Sequence, residues 1–119
     1  MKYHESEEMY LETILLLTER MNDVRSIDIA NELNYSRASV SRAMGLLQKK
    51  EYITIDNGFI KLTSLGAKKA QDIFERHEII TDLLLKIGVS NELAEENACR
   101  IEHVISPELL DYFKNFLNK

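Results

Sequence analysis

Residues 26–62 read SIDIANELNYSRASVSRAMGLLQKKEYITIDNGFIKL, and this stretch decides the fold. Ser26 offers an N-cap hydroxyl to a short helix through Leu33. Asn34-Tyr35 breaks it, and Ser36 caps a second helix that runs to about Lys50. Val40, Met44 and Leu47 recur at spacings of four and three, which gives that helix one inner side. Tyr52-Ile-Thr-Ile55 alternates as a strand does, Asp56-Asn57-Gly58 is a two-residue hairpin signal, and Phe59-Ile-Lys-Leu62 returns. Two helices joined by a tight turn and followed by a hairpin make a winged helix-turn-helix. The competing reading, a helical hairpin beside an unrelated β-turn, does not account for the agreement of caps, turn, hairpin and charge.

The second helix presents Ser36, Arg37, Ala38, Ser39, Ser41 and Arg42 near its N-terminus, and Lys49 and Lys50 at its end, with no acidic residue from 36 to 50. Small hydroxyl and methyl side chains let a helix sit deep in a major groove, and arginine can donate two hydrogen bonds to a guanine edge or bind phosphate. These eight residues are the expected surface for double-stranded DNA. Lys61 on the return strand is expected to oppose Asp56, which leaves the wing weakly basic and limits it to phosphate contact.

Outside this stretch the charge changes sign. The chain has 119 residues and a net charge of −5. Residues 1–23 carry −4, residues 24–70 carry +4 and residues 71–119 carry −5. A basic middle between two acidic segments suits a nucleic-acid binder whose remainder binds cations. The length fits a winged helix-turn-helix at 1–70 followed by a helical region at 71–119, mainly α overall. No stretch is long and apolar enough to span a membrane, and the charged start MKYHESEEMY is no secretory signal. A single cysteine excludes an intrachain disulfide and fits the cytoplasm. No Gly-rich phosphate loop, nucleophile motif or general-base constellation is present, so neither an enzyme nor a small-molecule substrate is expected.

The flanks read as helices. Residues 5–20 have an acidic first turn and a broad apolar side of Met9, Leu11, Ile14, Leu15 and Leu16. Thr63-Ser64 starts a long helix to about His77, which continues toward Leu85 after a break. Another helix begins at Asn91, and Ser106-Pro107 starts the last. The helix from Asn91 carries Cys99, Glu102 and His103 at i, i+3 and i+4, which puts a thiol, a carboxylate and an imidazole on one face. These are soft, hard and borderline ligands for a divalent first-row metal. The bland alternative is a Cys99 buried as a small hydrophobe beside a surface Glu-His pair. Leu93, Ile101, Val104, Ile105, Leu109, Leu110 and Phe113 form more apolar surface than so small a monomer can bury, so a homodimer is expected through 91–105 and 107–118. Tyr112, Phe113 and Phe116 suit dimer or core packing better than a ligand site.

Several segments together carry a family likeness. They are Glu8-Met9-Tyr10-Leu11-Glu12, Ser26-Ile-Asp-Ile-Ala30, Ser39-Val40-Ser41, Leu62-Thr63 with Gly66, Arg76-His77 and Ala98-Cys-Arg-Ile-Glu-His-Val-Ile-Ser106. In this order, over nearly the whole chain, they resemble the family of metal-dependent bacterial repressors that includes the diphtheria toxin repressor and the manganese transport regulator. The resemblance implies a homodimer that represses metal-uptake genes when Fe(II) or Mn(II) binds. It places ligands on Met9, Glu12, His77, Cys99, Glu102 and His103, with Glu95 a further candidate. Met9 and Cys99 follow the iron-responsive branch and Glu12 the manganese-responsive one. Two positions depart from the family pattern: a second-site carboxylate falls on Thr81, a poor ligand, and a second-site histidine falls on Glu95. The chain ends before the SH3-like domain of longer members, so ligands from that domain are expected to be absent. A cation drawing on both the first helix and the later donors would fix the winged helices relative to the dimer axis. A rival reading, a winged-helix regulator that senses oxidants through Cys99 without metal, calls for a reactive thiolate and metal-independent DNA binding.

Overall fold

The computed structural model describes residues 7–119, so Glu5 and Ser6 of the expected first helix lie outside the described residues. The described residues divide into two compact units, the first ending at Gln71 and the second spanning Asp72–Lys119.

In the first unit α1 spans Glu7–Met21, α2 Ser26–Leu33 and α3 Arg37–Lys49, followed by β1 at Ile53–Asp56 and β2 at Phe59–Leu62. Helix α1 buries Tyr10, Leu11, Ile14 and Leu17. Leu16, expected on that side, is exposed. It stands roughly 200° around the helix from Ile14, which occupies the centre of the buried stripe. Thr13 is also buried, and its hydroxyl donates to the Met9 carbonyl at 2.8 Å.

Helix α2 corrects the expected cap. Arg25 is the N-cap and Ser26 already lies inside the helix. The Asp28 carboxylate accepts the Arg25 backbone N–H at 2.9 Å, so the acid three residues on closes the start. Asn34 ends α2 in the left-handed region at φ 59. Ser36 caps α3 as expected, its hydroxyl accepting from Ser39 N at 3.1 Å. Val40, Met44 and Leu47 are the buried side of α3.

The hairpin turns through Asn57 at φ 58 and Gly58 at φ 84, the two positive angles of a type I′ turn. Its register pairs Lys61 with Thr54 and Asp56 with Phe59. Lys61 therefore does not oppose Asp56 as the sequence suggested. Val24 forms a further antiparallel bridge to Ile60, with Ile60 N donating to Val24 O at 2.7 Å. All these elements share one core that includes Leu11, Ile14, Ile29, Val40, Met44, Leu47, Ile53 and Ile60.

Helix α4 spans Ser64–Lys86 as one uninterrupted helix, without the expected break. No Gly or Pro falls between Gly66 and the helix end, so nothing in the chain forces one. At its start, a Cβ on Gly66 would lie 2.0 Å from the Tyr52 carbonyl oxygen, so only glycine permits this approach of helix to backbone.

In the second unit α5 spans Asn91–Ile101 and α6 Pro107–Leu117. Ser90 and Ser106 cap them. Ile80, Ala98 and Leu110 form a small core, with Ile101, Ile105 and Phe113 packed on it. Of the apolar set expected at a dimer interface, Leu110 is therefore buried, while Leu93, Val104 and Leu109 are exposed, as are Tyr112 and Phe116.

Candidate metal centre and nucleic-acid interface

The second unit gathers five chemistry-bearing side chains. Helix α4 buries Ile73, His77 and Ile80 along one stripe, which turns the His77 imidazole inward. Helix α5 supplies Glu95 and Cys99 one turn apart. It ends at Ile101, so Glu102 and His103 lie past the helix rather than on its face as expected. Glu102 nevertheless stays in the helical region of the backbone and its N–H still donates to Ala98 O at 2.9 Å, which preserves the phase relative to Cys99. Arg76 Nη1 donates to the Glu102 carbonyl at 2.9 Å and pins this terminus.

Both ring nitrogens of His77 meet carboxylates: Nδ1 lies 2.6 Å from Glu102 Oε1 and Nε2 lies 2.7 Å from Glu95 Oε1. Cys99 Sγ lies 4.0 Å from the same Nδ1. The sulfur of Cys99 and the carboxylate of Glu102 favour the imidazolium, burial opposes it, and Glu95 adds further support, so the His77 pKa is pushed up to about 11. Glu102 is completely buried, with 0% exposure. Its second oxygen, Oε2, has no hydrogen-bond partner among the described residues, though His103 Nε2 stands 3.4 Å away.

This arrangement fits a divalent cation. One donor atom each from His77, Cys99 and Glu102 lies within 4.8 Å of the others. They supply nitrogen, sulfur and oxygen, a set suited to first-row transition metals. A buried carboxylate oxygen without a hydrogen bond is costly in a protein interior, and a cation would relieve it. Cys99 is exposed, which contradicts its reading as a buried small hydrophobe. Glu95 joins the group through His77. The Thr81 hydroxyl is buried without a hydrogen-bond partner among the described residues and offers no carboxylate. In the first unit Met9 and Glu12 are half-buried on α1. The Met9 sulfur accepts from the Tyr35 hydroxyl at 3.8 Å, a partner that sequence reading did not identify.

The surface of α3 opposite its buried stripe exposes Arg37, Ala38, Ser41 and Arg42, with Ser39 half-buried. Ser36 is exposed, but its hydroxyl is engaged in capping. Lys49 is exposed at the far end. Lys50 is held in an ion pair with Glu7, which raises the Lys50 pKa, and Glu7 also reaches Lys69 at 3.7 Å. Of the two terminal lysines, Lys50 therefore already has an acidic partner. Lys61 is exposed on β2. Sequence reading missed Arg25, which lies with its guanidinium 4.1 Å from the centre of the Phe59 ring.

Comparison with known proteins gives a consistent picture. Residues 2–57 match the family described as iron dependent repressor, N-terminal DNA binding domain, and residues 63–119 match iron dependent repressor, metal binding and dimerisation domain. The transcriptional regulator MntR of Escherichia coli O6:H1 is 36% identical over 111 residues, covering 92% of this chain and 72% of that protein. Among solved structures, IdeR of T. acidophilum superposes with a TM-score of 0.82 at 26% identity, covering 96% of this chain and 55% of that one. The manganese regulator SloR superposes with a TM-score of 0.81 at 26% identity, covering 93% of this chain and 53% of that one. The chain thus spans a little over half the length of these two structures.

Proposed function

This chain belongs to the iron-dependent repressor family, and from that premise we propose that it represses metal-uptake genes when Fe(II) or Mn(II) reaches the cluster around Glu102. It is a metal-responsive, DNA-binding transcriptional repressor and not an enzyme. It acts as a homodimer on operator DNA. We assign DNA binding to residues 1–70 and metal binding with dimerisation to residues 71–119, and place the protein in the cytoplasm, where operator DNA is found. No helix among the described residues is long and apolar enough to cross a membrane, in keeping with that placement. The relatives are named for metals, and oxidant sensing through Cys99 finds no support among them.

One observation carries the metal assignment: the buried Glu102 carboxylate, with an oxygen lacking a hydrogen bond, beside His77 and Cys99. The proposed ligands are His77, Cys99, Glu102 and His103, with Glu95 as an auxiliary carboxylate and Met9 and Glu12 as donors carried on α1. A divalent cation held there would supply positive charge where acidic side chains gather. His77 would hold the metal through a ring nitrogen, which would have to be free of its proton to donate a lone pair. Glu102 offers Oε2 without breaking a hydrogen bond. Cys99 offers a soft sulfur and His103 a borderline nitrogen. On the DNA side, Arg37, Ala38, Ser41 and Arg42 are proposed to face the groove, with Ser36, Ser39, Lys49 and Lys61 toward the backbone. Lys50 joins them only on leaving Glu7.

An anaerobic titration of operator binding against Fe(II), Mn(II), Co(II) and Zn(II) at fixed salt tests the assignment. Activation by Fe(II) or Mn(II) at low micromolar concentration is expected. Activation by none of the four metals would refute it.

A further inference from the structure

Beside the hairpin lies a cation with no assigned role. Arg25 is extended, at φ −120 and ψ 163, just before α2. The bridge between Val24 and Ile60 lays this segment along β2 and brings Arg25 level with Phe59. There the guanidinium carbon sits 4.1 Å from the Phe59 ring centre, a cation–π distance. Gly58 makes room for it: a Cβ at that position would lie 3.0 Å from Arg25 Nη1. The nearby acid Asp28 spends its carboxylate on the backbone N–H of Arg25. Among the described residues no carboxylate forms an ion pair with the guanidinium, whereas Arg20 is paired with Glu32, and Lys50 and Lys69 with Glu7. Strand alternation puts Phe59 and Lys61 on the same side of β2, opposite the buried Ile60, so Arg25 and Lys61 share the outer face of the wing.

We propose that Arg25, laid against Phe59 beside the wing, is a preformed contact to the phosphate backbone of duplex DNA. This rests on the repressor reading above and extends the DNA-binding surface beyond α3. A stacked guanidinium retains its planar fork of donors yet loses little rotamer freedom on binding, and phosphate is the partner that fork matches in a duplex backbone. The wing is then a two-cation clamp, and its contribution is independent of base sequence.

The test is the salt dependence of binding to a short mixed-sequence duplex, measured by fluorescence anisotropy with Mn(II) present. Arg25→Gln keeps the length of the side chain and removes its charge. It should lower the slope of log affinity against log salt by about one per subunit and weaken operator and non-operator duplexes by the same factor. Arg25→Lys should restore the wild-type slope. Phe59→Leu should keep the slope and weaken affinity, because the cation survives without its platform. An unchanged slope in Arg25→Gln would overturn the proposal, leaving Arg25 as wing packing, and a loss confined to operator sequence would overturn it in favour of base reading. Failure of the wild-type protein to bind any duplex would overturn the repressor reading as well.

Discussion

His77 and Glu102, from different helical segments, meet inside the second unit at 2.6 Å between Nδ1 and Oε1. The pair joins a protonated imidazole to a carboxylate that is wholly buried. Removing one partner from such a pair strands the other in a poor solvent. The same two groups are proposed metal ligands, so a bound cation would compete with this contact for both of them.

The pH dependence of the metal-free protein follows from this. The His77 pKa is raised from its ordinary 6.5 to about 11 in the fold. Its contribution to stability is therefore complete below pH 6.5 and is lost as pH rises through about 11. Urea unfolding of apo protein should show stability falling with pH in that window, at no more than about 1.4 kcal/mol per pH unit from this group. His77→Gln should flatten the slope. An equal slope in the variant would detach it from His77.

Glu102→Ala should destabilise the metal-free protein by about 1.5–3 kcal/mol, because it removes one of the two carboxylates that meet the His77 ring and leaves a cavity. Glu102→Gln retains volume and one acceptor, so it should cost less. Both should abolish metal-dependent operator binding. Thermal unfolding with and without Mn(II) checks this: neither variant should gain stability from the metal.

Gly66→Ala should destabilise the first unit by about 1–3 kcal/mol. The added methyl would meet the Tyr52 carbonyl, a backbone atom that cannot rotate away. Denaturant unfolding measures the loss, and a neutral result would mean that α4 shifts freely against the hairpin.

Arg42→Ala should cost roughly 1–3 kcal/mol of discrimination if Arg42 reads a base. It is exposed on α3, five residues before the buried Leu47. Competition between operator and scrambled duplex separates the outcomes: equal weakening of both would make it a phosphate contact.

His103→Ala should end metal-dependent repression while leaving the circular dichroism spectrum near that of the wild type. Its imidazole follows α5 and is not part of the small apolar core formed by Ile80, Ala98 and Leu110. Operator binding that still requires metal, at wild-type metal concentrations, would place the site elsewhere.

The winged helix was legible because its signals are local. Asn34 adopts a left-handed backbone, Ser36 caps α3, and Asn57-Gly58 closes the hairpin, each as its residue type requires. The shared phase of Cys99 and Glu102 was legible from spacing, since Glu102 keeps helical phase although α5 ends one residue earlier. What escaped is mostly non-local. Two misses were local instead: no Gly or Pro after Gly66 interrupts α4, and Asp28 three residues on marks Arg25 as the cap of α2. Leu16 looked apolar enough to be inside, and only the position of the core turned it out. The Arg25–Phe59 stack and the Tyr35–Met9 hydrogen bond arise from tertiary packing that no sequence spacing encodes.

The central claim is that metal and operator binding are coupled, and linkage allows this to be measured directly. The affinity of the protein for Mn(II) and for Fe(II), determined anaerobically at fixed pH and salt, should increase when saturating operator is present. The factor should equal the one by which saturating metal tightens the operator. Metal affinities that are the same with and without operator would contradict the account.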